Sequence, residues 1–335
     1  MAASTSKNVI FAALAGNAAI AATKFAAALF TGSAAMMSES IHSAVDTGNQ
    51  VLLLIGLKRA ARPASETHPF GHGLQLYFYT FVVAVLIFGL GAVISILHGV
   101  DRIRAPEPIE NPWVNYVVLG LAVLFEGASW WVALRAFNRQ REGRPLLRAV
   151  RDSKDPTVFT VLFEDTAALT GLVIALIGVV ASQVFDLPMI DGVASVAIGV
   201  VLAITAGFLA YESQSLLTGE AADPATRAGV AAIAVEEPGV VGLNDLRTMH
   251  FGPNEILVAL SLDFHDDLTA ADVENTVARL EQRIRAAYPQ AGRVYVEAQS
   301  LANHAAVRAA VMAAGGPGAL VSDVPGATTS TRATA

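Results

Sequence analysis

The chain has 335 residues, a formal net charge of −7, 54% hydrophobic residues and only 15% charged ones. Soluble globular chains carry about 25% charged residues, and a mean hydropathy of +0.51 leaves too little polar surface to cover a chain of this length. A cytosolic enzyme, a nucleic-acid-binding protein and a disordered scaffold are excluded on this basis. With no cysteine, disulfides, thiolate metal sites and thiol nucleophiles are excluded as well.

A bilayer core takes about 20 apolar residues per helix. Six stretches qualify in chain order: 8–30, 34–57, 76–100, 113–136, 158–182 and 191–213. The first is too long for a signal peptide and lacks a small-residue cleavage site, so it reads as structural. The segment before the first span, and the connections after the second and fourth, hold Lys7, Lys58, Arg59, Arg62, Arg135, Arg139, Arg141, Arg144, Arg148, Arg151 and Lys154. The opposite loops hold only Arg102 and Arg104. The positive-inside rule therefore predicts a lipid-embedded protein with both termini cytoplasmic.

The spans are not uniformly apolar. Span two carries Ser38, His42, Asp46 and Asn49 at helical spacing, span four carries Glu126, and span five carries Glu164 and Asp165. Asp46, Glu126 and Asp165 fall about 11, 11 and 8 residues from their cytoplasmic ends, near the mid-plane at about 1.5 Å per residue. An ionisable group there costs on the order of 2.5–3.5 kcal/mol. Lys24 in span one reads as lying nearer the outer end, its stem snorkelling to the interface. On that reading no base matches the acids, and carboxylates without a base need protons or a metal cation. Imidazole plus carboxylate suits a divalent ion such as zinc, and the i,i+4 spacing lets His42 and Asp46 share it.

Beyond about 217 the balance turns acidic. The first 217 residues carry 14 basic and 15 acidic residues, and the remainder 8 and 14. Residues 225–236 read as a short helix closed by Pro238-Gly239. VVGLNDLRTMHF and EILVALSLDF flank Gly252-Pro253-Asn254 as a hairpin. Thr269 reads as an N-cap with Asp272 three residues on, opening an amphipathic helix through Val273, Val277, Leu280 and Ile284. VYVEAQ is the last strand. The predicted organisation is a six-helix membrane domain over 1–217, a cytoplasmic α+β domain of order αββαβ over 218–304, and a disordered Ala/Gly/Ser/Thr/Pro tail over 305–335.

SESIHSAVDTGNQ in span two, HPFGHG at 68–73 with the aromatic-rich run that follows it, and LLTGEA at 216–221 resemble the cation diffusion facilitators over about residues 8–300. VLFEDTAALTG and LFEGASWW resemble the branch that contains the mitochondrial zinc transporter of animals. The resemblance implies a six-span homodimeric exporter of divalent metal, most often Zn2+, driven by protons, with a metallochaperone-like cytoplasmic domain. It implies no tightly bound cofactor and no nucleic-acid partner. It places the span-two metal pair at His42 and Asp46. The span-five pair, usually HxxxD, falls on Val161 and Asp165, so that histidine is missing and Glu164 stands beside the aspartate. Asp165 takes the family position. Glu164 is left to support the ligands or carry a proton, Glu126 to be fourth ligand or proton acceptor, and Asn49 to complete a water-bridged shell. One imidazole among carboxylates is a harder donor set than two histidines and two aspartates, which raises Mn2+, Fe2+ and Co2+ as alternatives to Zn2+.

His68 and His72 are candidates for an accessory metal site in the cytoplasmic connection between spans two and three, or for a Pro/Gly-shaped turn that only positions span three. His98 reads as interfacial. In the tail the family's metal positions fall on Asn244, Ser261 and Glu297, so the usual two-metal tail site is expected to be absent. His265, among Asp263, Asp266 and Asp267, is an acidic surface turn or a metal site. The chain lacks HExxH, against an intramembrane metalloprotease; a metal-sensing homologue that does not transport is the other alternative. Abundant Ala and Arg fit a GC-rich bacterium and hence its inner membrane.

Overall fold

The computed structural model describes residues 2–313 apart from 110, 141, 142, 144, 146–148 and 151–153. The chain divides into two units, Met1–Leu217 and Thr218–Ala335, each taken by itself.

The first unit is helical: α1 Ala2–Thr31, α2 Ala34–Ala60, α3 Leu74–Leu86, a π-helical segment Ile87–Val93, α4 Ile94–Arg104, α5 Pro112–Gln140, α6 Pro156–Val184 and α7 Met189–Leu217. The stretch expected as one span at 76–100 is therefore α-helix interrupted by a π-helical segment, a feature that periodicity does not reveal. Between α1 and α2, Gly32 takes a φ of 66°, a conformation open to glycine without strain. Ser33 then caps α2 by accepting from the Met36 N–H at 3.2 Å. The buried Asp191, in the first turn of α7, accepts from Ser33 Oγ at 2.7 Å and from the backbone N–H groups of Ala34 and Ala35. A carboxylate at the positive end of a helix is favourable, and here it also pins α7 to the start of α2.

Helices α2 and α7 occupy the middle. α7 packs against α2, α3, the π segment, α4 and α6, while α5 packs against α1 and α6. The α4–α7 approach is backbone to backbone. A Cβ on Gly99 would stand 2.7 Å from the Gly192 carbonyl oxygen, and one on Gly192 would stand 2.8 Å from that of Gly99. Large apolar side chains point away from the helices, among them Phe30, Leu124, Trp131, Val132, Ile177 and Val184. Among the described residues, four stretches are long and apolar enough to cross a membrane: Leu74–Arg104, Pro112–Arg135, Phe159–Val184 and Met189–Leu217. α1 and α2 have comparable lengths, 30 and 27 residues, but α2 is made more polar by Glu39, His42, Asp46 and Asn49.

The second unit contains α8 Pro224–Val235, β1 Val240–Gly252, β2 Glu255–Phe264, α9 Ala270–Ala287, β3 Arg293–Ala298 and α10 Leu301–Ala313. The sheet order is β1-β2-β3. β1 and β2 pair antiparallel, and β3 runs parallel to β2 after the α9 crossover. Asp223 caps α8 by accepting from the N–H groups of Ala225 and Thr226, both at 3.0 Å. Thr269 and Asp272 form a reciprocal capping box on α9. Ile256, Val258, Leu260 and Leu262 of β2 are buried with Val230 and Ala234 of α8 and Leu280 and Ile284 of α9. One helix goes beyond the expected αββαβ order. The tail expected to be unstructured from 305 is helical to Ala313, because LANHAAVRAAVMA is rich in alanine, the best helix former; residues 314–335 lie outside the described residues.

The second unit also buries one acid. The side chain of Glu237, 2% exposed, accepts from Arg279 Nε at 2.9 Å and from Arg283 Nη1 at 2.6 Å. Burial alone would raise its carboxyl, but the hydrogen bonds from Arg283 and then Arg279 outweigh this and hold it below the usual 4.5.

Two outcomes are expected. Gly192→Ala lowers the melting temperature of the purified chain by several degrees through overpacking, whereas Gly120→Ala, where an added Cβ meets nothing within 4 Å, does not. Because the Glu237 carboxyl is depressed in the folded state, its contribution is fully present above pH 4.5 and is lost as pH falls through the lowered value. Glu237→Gln therefore speeds hydrogen exchange in α8 and α9 at pH 7, and the gap from the unaltered chain closes as pH falls well below 4.5.

Candidate metal site

The polar face of α2, which opens in the sequence at Ser38, also includes the adjacent Glu39. Glu39, His42, Asp46 and Asn49 follow at offsets of three, four and three, so they share a face. Glu39, His42 and Asn49 are buried, and the Asp46 side chain is 19% exposed. His42 Nε2 lies 3.4 Å from Asp46 Oδ2, but neither ring nitrogen has a well-aligned hydrogen-bond partner. Asn49 Nδ2 donates to Glu164 Oε1 at 2.9 Å, joining α2 to α6. Ser129 Oγ of α5 donates to Asp165 Oδ2 at 3.1 Å.

Asp46, Glu126, Glu164 and Asp165 line one cavity of about 190 Å³, together with Asn17, Ser43, Gln50 and Ser129. Although adjacent on α6, Glu164 and Asp165 both reach it. Its apolar wall includes Ile20, Phe125 and Val161, the last at the position where the family motif has histidine. Among the described residues, no three His, Asp or Glu side chains stand in a metal-coordinating arrangement. The acids instead face a shared space, where two buried carboxylate oxygens lack a partner, Asp46 Oδ1 and Glu126 Oε2; Asn49 Oδ1, also without one, and the His42 ring lie on α2 outside the cavity's lining residues. Ionised carboxylates accept but do not donate, so these atoms and the imidazole are suited to a cation or to protons.

Lys24 corrects the sequence reading. Its side chain is fully buried, not snorkelling. Its ammonium donates to Glu126 Oε1 at 2.6 Å, to Ser43 Oγ at 2.8 Å and to Glu39 Oε2 at 3.3 Å. Side chains on a helix lean toward its N-terminus, which on α1 carries the ammonium inward, away from the end near Gly32. The acid cluster thus has one base, and Glu126 is part of an ion network. Glu39 and Lys24 were the residues missed. The offset of three before His42 put Glu39 on the stripe; Lys24 could be placed only by knowing that α1 lies against both α2 and α5.

His68 and His72 have ring centroids 4.4 Å apart. Each Nδ1 faces a local partner, Thr67 Oγ1 at 3.0 Å and the Pro63 carbonyl at 3.1 Å, as a shaped turn requires. In the second unit His265 is exposed. Asn244 Nδ2 donates to the Gln299 carbonyl at 2.6 Å, and Ser261 pairs in register with Asp245 and Glu297.

Residues 10–218 match the family described as the cation efflux transmembrane domain, and residues 222–299 match the cation efflux protein, cytoplasmic domain. The chain belongs to the cation efflux family, the cation diffusion facilitators. Members of this family are transporters and not enzymes. The mitochondrial proton-coupled zinc antiporter SLC30A9 of Mus musculus is 31% identical over 243 residues, 72% of this chain and 43% of that protein. Metal tolerance protein C4 of Arabidopsis thaliana is 29% identical over 278 residues, 82% of this chain and 61% of that protein. The cation-efflux pump FieF of Shigella flexneri is 25% identical over 291 residues, 84% and 92% respectively. The chain thus spans less than half the length of the animal cation diffusion facilitators that it matches.

Proposed function

We propose that this chain is a secondary transporter that exports a divalent metal cation from the cytoplasm in exchange for protons, with Zn2+ as its main cargo. The observation that carries the reading is the cavity shared by Asp46, Glu126, Glu164 and Asp165 inside an apolar helical unit, with buried oxygens that lack partners. Such a group of acceptors is stabilised either by protons or by a divalent ion, and an exchanger must hold the two in turn. The similarity to a proton-coupled zinc antiporter supports this cargo and coupling, and the similarity to a cation-efflux pump supports the direction of transport.

His42 and Asp46 of α2 and Asp165 of α6 are the proposed core ligands. Glu164, held by Asn49, is the proposed proton carrier, and Glu126 the fourth ligand or proton acceptor. α1 and α2 complete six spans with the four apolar stretches, both termini are cytoplasmic, and the membrane is a bacterial inner membrane. The cytoplasmic-domain match, whose family is named for dimerisation, supports a homodimer. His68, His72 and His265 are retained only as accessory metal positions. A second reading, Mn2+, Fe2+ or Co2+ as main cargo, is favoured by one specific feature: Val161 stands where a second imidazole would, which leaves a carboxylate-rich donor set.

The test is a competition flux assay in proteoliposomes with Zn2+, Mn2+, Co2+ and Fe2+ at two pH values; absence of flux for all four sinks the transport reading. Asp46→Ala and Asp165→Ala are each expected to abolish metal uptake driven by a pH gradient, and wild-type flux in both would refute the ligand assignment. Glu164→Gln is expected to alter the pH dependence of flux more than metal affinity. A large loss of affinity with unchanged pH dependence would make Glu164 a direct ligand.

A further inference from the structure

The Lys24 network has a position as well as a charge. Thr31 Oγ1, at the end of α1, donates to Asn115 Oδ1 near the start of α5 at 2.9 Å, so the start of α5 lies at the α1–α2 loop. Along α2, Glu39 is seven residues nearer that loop than Asp46, about 10 Å at about 1.5 Å per residue. Along α5, Glu126 is one turn nearer that loop than Ser129, the partner of Asp165. The ammonium of Lys24 therefore sits between the cavity and the α1–α2 loop, joining three helices. Behind it, the loop end is closed by Asp191 on the start of α2 and by Arg102 donating to the Gly32 carbonyl. Glu126 belongs to both layers: Oε1 is held by Lys24, while the residue lines the cavity and its Oε2 has no partner.

We propose that Lys24 is a tethered cation that reserves Glu126 and Glu39 and shuts the cavity toward the α1–α2 loop, so that cargo leaving that way must take Glu126 from it. This rests on the metal-transport reading above. The physical reason is competition between like charges. A divalent ion beside Asp46 and Asp165 is repelled by an ammonium on the next turn, and the two cations compete for the same carboxylate. An occupant that cannot diffuse away returns to Glu126 once cargo has passed, which resets the closure. Lys24 is thus a positioning residue that limits how tightly the site holds metal and keeps release fast.

A lysine that merely ties three helices together makes the opposite prediction, because its loss would loosen the site and weaken binding. In the purified full chain, Lys24→Met is expected to tighten equilibrium binding of Zn2+ by on the order of tenfold, with maximal flux in proteoliposomes falling by on the order of tenfold. KM and maximal rate would then fall together. In Lys24→Met/Glu126→Gln, which removes the freed carboxylate, affinity returns to the wild-type level. Unchanged or weaker binding by folded Lys24→Met, or tightening that persists in the double variant, overturns the proposal. If Lys24→Met is not recovered folded, Glu39→Gln decides. It leaves Glu126 as the ammonium's one carboxylate partner and must weaken Zn2+ binding, whereas unchanged or tighter binding overturns the proposal. A wild-type chain that carries no metal would overturn the transport reading itself, and that arm is scored before any variant.

Discussion

A lysine ammonium enclosed with two glutamates governs how the helical unit is arranged. Taking an ammonium or a carboxylate out of water is costly unless it is paired and hydrogen-bonded. Lys24 meets that demand through Glu39, Ser43 and Glu126, which come from two other helices. Placing α1 against both α2 and α5 is therefore required by the charges as well as by packing. The same network sets how far α5 can move from α2 without stranding a charge.

Below that network, the acids of the cavity are left under-satisfied, and this distinguishes the two layers. The upper layer has an internal base; the lower one, with Asp46, Glu164 and Asp165, has hydroxyl and amide donors but, among the described residues, no Lys or Arg. Ser129 and Asn49 orient individual oxygens and do not neutralise them. A site built in this way holds its geometry without occupying its own charge capacity, as the proposed exchange of a cation for protons demands. The α4–α7 contact through Gly99 and Gly192 serves the same end at a distance. Close backbone packing there, with Asp191 capping α2, ties α7 to α4 and to the start of α2, the helix that carries Asp46.

The second unit is stabilised by different means, consistent with a watery surrounding. Its helices begin at side-chain caps, its core is a single layer of aliphatic residues between sheet and helices, and its buried acid, Glu237, is met by two partly exposed arginines. The positions at which the family resemblance would place tail ligands hold Asn244, which bonds to backbone, and Ser261 and Glu297, which pair in register across β2 and β3.

The helix positions, the hairpin at Gly252-Pro253-Asn254, the capping box at Thr269 and the stripe carrying His42, Asp46 and Asn49 were all legible in the residues, because each depends on neighbours within a few positions. The family, too, was legible from short motifs. The π-helical interruption at Ile87–Val93 and the helix continuing to Ala313 were not, since the first depends on packing against α7 and the second lies in a composition shared by helices and unstructured tails. The partner of each acid was also hidden. From sequence alone Lys24 read as an interfacial lysine and the acids as unmatched, when one base lay among them. Sequence determined which residues are ionisable and which share a helical face. Only the tertiary structure decided which charges meet, because a contact between residues 24 and 126 is fixed by how separate helices pack and not by any local pattern.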